Sequence, residues 1–101
     1  MSWANRAIEK LQSGEVVEIE NEVSVIKGRL KYGHIVTLES LNSHLPDQGE
    51  IVLVRFNGKD FFRLVEEVGK KKVLVGDSSG YTGGWVRKKD IFGIVKKIEK
   101  K

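Results

Sequence analysis

The chain has 101 residues, a net charge of +4 and a pI of about 9.4, with 40% hydrophobic and 32% charged residues and no cysteine. That length suits one domain with a modest core, and the lack of cysteine excludes both a disulfide framework and a thiolate metal site. No apolar run reaches the roughly 20 residues of a membrane helix, and Met1 to Arg6 carry no signal-peptide apolar core, so a cytoplasmic location without membrane contact is expected.

Residues 2–12 read as a short helix. Trp3, Ala4, Ala7, Ile8 and Leu11 recur at spacings of three and four and so share one face. Ser2 is the expected N-cap and Gly14 the expected stop. A helix this short must dock on the rest of the chain to persist, with Trp3 as its anchor. Its apolar face is too small to hold a membrane surface. Glu15 to Glu20 alternates as a strand; Val23 with Val25, and then Ile35 to Leu38, suggest two more. The KGRLKYG segment between these two, with Gly28 and Gly33, reads as a loop or a tight bend, and LNSHLPDQG at 41–49 as a connection.

Ile51, Leu53 and Arg55 alternate with Val52, Val54 and Phe56, which predicts a strand. Asn57-Gly58 follows, a pair suited to the positive φ angles of a type I′ hairpin turn. Phe61, Phe62, Leu64 and Val65 return as a second strand, and Gly69-Lys70 turns the chain into a third at Val73 to Val75. DSSGYTGG at 77–84 reads as an exposed loop where a partner would touch. Trp85 to Arg87 and Ile91 to Val95 close the chain as short strands. One helix followed by many short strands predicts a single mainly β domain over 1–101, with coiled β-sheets forming a small, partly open barrel.

The chemistry-bearing residues are sparse. His34 and His44 have no metal-ligand spacing, so no metal and no cofactor is expected. The glycines of GYTGG match no phosphate-binding loop. Glu66 and Glu67 occupy consecutive strand positions and so point to opposite faces, which disfavours paired-carboxylate catalysis. Positive charge gathers in Lys70, Lys71 and Lys72, in Arg87, Lys88 and Lys89, and in the tail Lys96, Lys97, Lys100 and Lys101. Solubility is the plain reading of such charge. With Tyr81 and Trp85 among the clusters, a nucleic-acid-binding small β-barrel is an alternative.

Several segments fall in a recognisable order. They are Leu11-Gln12-Ser13-Gly14, Lys27-Gly28-Arg29, Gly33-His34-Ile35-Val36-Thr37-Leu38, Gly49-Glu50-Ile51-Val52-Leu53-Val54, Phe62-Arg63-Leu64-Val65, Val75-Gly76-Asp77-Ser78 and Ile91-Phe92-Gly93-Ile94-Val95. Over nearly its whole length the chain resembles the LexA-like repressor and signal-peptidase superfamily, its short stand-alone members in particular. The fold this resemblance implies agrees with the mainly β reading. Peptidases of that superfamily use a serine nucleophile and a lysine base. By the resemblance the serine position falls on Val25 and the lysine position on Phe62, which cannot take a proton. Ser24 stands one residue early, and on a strand it would face away from Phe62.

The resemblance therefore implies a catalytically degenerate pseudoenzyme, acting as a binding or regulatory module. Its partner would be a protein or peptide, a second copy included, with Arg29, Arg63, Tyr81 and Trp85 as candidate contacts. A lesser alternative is an active serine peptidase using Ser24, with Lys27 or Lys31 as base. One helix is too little for a helix-turn-helix.

Overall fold

The computed structural model describes residues 4–22, 24–26, 28–41, 46–76 and 82–100. The helix, α1, spans Asn5–Gln12 and starts later than its periodicity suggests. Ser2 and Trp3, the expected cap and anchor, lie outside the described residues. Ala4 holds the capping position and, lacking a side-chain oxygen, makes no side-chain cap bond. The C-terminus closes as expected at Gly14. Gly14 N–H donates to Leu11 O and Glu15 N–H to Lys10 O, the paired bonds of a Schellman motif. Ala4, Ala7, Ile8 and Leu11 are all buried, which is the face their spacing marks out.

The strands are β1 (Val17–Glu20), β2 (Ile35–Ser40), β3 (Ile51–Phe56), β4 (Lys59–Val68), β5 (Lys72–Gly76), β6 (Thr82–Arg87) and β7 (Ile91–Glu99), with a 3-10 turn at Lys88–Asp90 before β7. They form one antiparallel seven-stranded sheet in the order β1-β2-β7-β3-β4-β5-β6. The fold is mainly β, and the sheet is not closed into a barrel: β1 and β6 are its two edges. Register shifts in β2–β7, β3–β7, β4–β5 and β5–β6 mark bulges, which bend and twist strands locally.

β3 explains how so few residues make a core. Ile51, Val52, Leu53 and Val54 are all buried, so this central strand is covered on both faces. Ile51 and Leu53 join Ile8, Leu11, Ile26, Leu30 and Phe62 in one cluster. Val52 and Val54 join Val65, Val73, Val75 and Val86 in the other. The alternating reading of 51–56 thus found the strand but understated its burial.

The hairpin joining β3 to β4 turns at Asn57 (φ 53°) and Gly58 (φ 77°), both in the left-handed region that a type I′ turn demands. Gly58→Val is expected to destabilise the domain by about 1–2 kcal/mol, because an L side chain resists that conformation. Thermal melting checks it, and a fall of roughly 4–8 °C per kcal/mol is expected for a domain of this size.

Two expected elements differ. No strand forms at Val25, while Val23 lies outside the described residues; the chain makes an isolated bridge, Ile26↔Leu30, across a tight turn. The expected loop at 77–84 ends early, because Thr82 to Gly84 belong to β6. Glycine is what admits this. A Cβ on Gly84, at φ 134°, would stand 3.2 Å from the Phe56 ring. Residues 77–81, Tyr81 among them, lie outside the described residues.

Candidate functional site

Between β1 and β2 the chain leaves the sheet and returns, and Asn21 holds that excursion together. Its side chain is fully buried. The Nδ2 amide donates to Ser24 O and to Lys31 O, each at 2.8 Å, while Oδ1 accepts from Ser24 N–H at 3.2 Å. On the main chain, Asn21 N–H donates to His34 O and Gly33 N–H to Asn21 O. His34 Nδ1 accepts from Lys31 N–H at 3.2 Å, the role of an ordinary turn residue. One amide side chain thus supplies partners that a sheet ladder would otherwise provide.

This loop crosses β4 at Phe62. Among the described residues the β4–β5 ladder is paired as far as Leu64↔Gly76, two residues short of Phe62. Ser24 Oγ accepts the Phe62 N–H at 3.1 Å. Ser24 is 2% exposed and the Phe62 ring fully buried, whereas Val25 is 46% exposed. The expected pairing of Val25 with Phe62 is therefore overturned: Ser24 faces Phe62 and Val25 faces solvent. Period-two alternation holds for a strand, and residues 24–25 are not in one. The Ser24 bond belongs to the fold, since it satisfies a buried donor that would otherwise cost stability. Of the two bases weighed for Ser24, the Lys31 side chain is exposed and makes no hydrogen bond to Ser24, and Lys27 lies outside the described residues.

The other candidates scatter. Arg29 reaches back to Gly49 O at 3.3 Å on the exposed surface. Arg63 stacks its guanidinium 4.3 Å from the Phe61 ring centre and donates to Phe62 O. His44 is outside the described residues. Glu66 is half-buried and Glu67 exposed, with a bulge between Val65 and Glu67.

The structure does bring Lys72, Trp85 and Arg87 together. The β5–β6 register sets Lys72 opposite Arg87 and Leu74 opposite Trp85. A cleft of about 310 Å³ is lined there by Arg55, Phe56, Lys72, Trp85, Arg87 and Asp90, together with Asn57 and Val86. Arg55 is fixed by Asp60, with Nε to Oδ1 at 2.8 Å. That hydrogen bond is the main cause holding the guanidinium pKa above its ordinary value; desolvation opposes it, and the nearby charges of Asp60 and Asp90 add smaller upward contributions. Lys70 and Lys71 lie in the turn before this patch, and Lys88 and Lys89 follow β6.

Neither a family model nor a curated protein matches this chain. Sequence reasoning missed Asn21 and the contribution of Arg55 and Phe56 to the cleft. An Asn between two strands at EIENEV was the available signal for a side chain that replaces ladder bonds. Nothing local marks Arg55 and Phe56 as neighbours of Trp85, because the coiling of the sheet makes them so.

Proposed function

We propose that this chain is a non-catalytic binding module on a peptidase-like fold of the LexA and signal-peptidase kind. The observation that carries this reading is the 3.1 Å hydrogen bond from Phe62 N–H to a Ser24 Oγ that is almost wholly buried. An attacking hydroxyl needs access to its substrate and a base within about 2.6–3.2 Å. Here the residue beside the serine is phenylalanine. The partner class that the resemblance suggests is a protein or peptide, or a second copy, adding a strand at an open sheet edge; β6 offers such an edge.

A fluorophosphonate probe tests the loss of catalysis. The wild type is expected to remain unlabelled under conditions that saturate an active serine hydrolase. Labelling that disappears in Ser24→Ala would overturn the reading. A second reading, nucleic-acid binding, is favoured by one specific observation: two cations and an exposed tryptophan occupy a single face of β5 and β6.

A further inference from the structure

We infer that the outer face of β5 and β6 is a binding site for single-stranded nucleic acid, with a base stacked on Trp85 and the adjoining phosphates held by Lys72 and Arg87. The inference rests on the second reading above, nucleic-acid binding, and assigns it to named residues and to a single strand. Directly opposed residues of an antiparallel pair share a face, as do residues two apart on one strand. Lys72, Leu74, Trp85 and Arg87 therefore form one patch. Like charges set opposite each other across strands are destabilising. Among the described residues neither Lys72 nor Arg87 makes an ion pair that would relieve this one. An anion seated between them does so.

Trp85 supplies the second element. Its six-membered ring packs against the turn at Gly69, where a Cβ would lie 3.4 Å from Cζ3. The ring has a backing on that side, and Trp85 as a whole is still 47% exposed. A supported, half-exposed indole beside two cations is a stacking platform with phosphate contacts at its edge. Asp90 is the one carboxylate among the residues that line the cleft, and it interacts with the Arg55 charge. Lys70 and Lys71 precede Lys72 in the turn before β5, Lys89 lies in the 3-10 turn after β6, and on the neighbouring β4 Glu67 stands opposite Leu74 as the acidic border of this face.

The same chemistry argues against other polyanions. An acidic peptide would satisfy the lysines but has no planar group for the indole. A duplex keeps its bases stacked on one another and offers the indole no free base face.

The test is fluorescence polarisation with a labelled, mixed-sequence single-stranded DNA. It compares the wild type with Trp85→Ala, with Lys72→Glu plus Arg87→Glu, and with Lys10→Glu plus Lys100→Glu, which removes the same charge away from the cleft. Circular dichroism melting establishes that each variant is folded. Trp85→Ala is expected to weaken binding by roughly 5–100-fold. The cleft charge reversal is expected to abolish saturable binding, while the control pair stays within a few-fold of the wild type. The plot of log affinity against log salt is expected to be linear, and Lys72→Ala to reduce its slope by about 0.7.

Tighter binding of the RNA of the same sequence, still dependent on Trp85, supports the site and assigns RNA as its source. Equal losses in the two charge-reversed pairs, undiminished binding by Trp85→Ala, preference for duplex, or equal competition by polyglutamate would each overturn it. The probe experiment on Ser24 reads catalysis and not this surface. A failure of oligonucleotide binding is thereby distinguishable from a failure of the non-catalytic reading.

Discussion

Asn21→Leu is expected to remove a large part of the stability of this domain. The substitution keeps a side chain of similar volume in a fully buried position. It leaves Ser24 N–H, Ser24 O and Lys31 O without the partner they have now. Each of the two buried Ser24 groups so orphaned costs about 1–3 kcal/mol, and the part-buried Lys31 O less, which gives roughly 3–6 kcal/mol. Domains of this kind have about 5–15 kcal/mol in total. Urea titration measures the change, and a loss below about 1 kcal/mol would show that the loop does not depend on this side chain.

Asn21→Asp separates hydrogen bonding from volume. The carboxylate still accepts from Ser24 N–H but confronts two carbonyl oxygens with no proton to offer. Its folded pKa would therefore be raised above the unfolded value. The folded state then gains on protonation, so the penalty should be full at neutral pH and shrink as pH falls below the raised value.

What was legible in the sequence follows the range of the interaction that decides it. The buried face of α1 depends on neighbours three and four residues away, and its spacing announces Ala7, Ile8 and Leu11. The β3–β4 turn depends on Asn57 and Gly58 alone, and both take the expected positive φ. The loop from Asn21 to His34 depends on one side chain reaching a carbonyl ten residues on, which no periodicity reports. That loop is also where strand alternation gave the wrong facing for Ser24 and Val25. The cleft beside Trp85 joins residues about thirty positions apart, from the β3–β4 tip and β6. They meet through the tertiary arrangement of β3 and β6, strands that are not neighbours in the sheet. Lys72, Trp85 and Arg87 were visible as residue types, while their common face came from the register.

Phe62→Lys is expected to be among the most damaging single changes in the chain. Phe62 is fully buried, sits opposite Leu53 across the β3–β4 pair, and packs in the cluster that contains Ile26 and Leu30. Truncating such a ring to alanine costs about 3–5 kcal/mol through lost transfer energy and a residual cavity. Lysine should cost at least as much, since its amine must either remain neutral in the core or drag the stem out to water and leave the cavity behind. Comparing Phe62→Lys with Phe62→Ala and Phe62→Leu in urea separates these effects, and the leucine variant is expected to lose least. A lysine variant as stable as the wild type would mean that this position tolerates a base, and that the apolar ring is not what binds the loop to β4. If the ring is needed, stability and catalysis make opposite demands here. Under the proposed resemblance the base position would fall on Phe62, a group on which this core depends, and the adjacent serine is tied to that residue's own N–H.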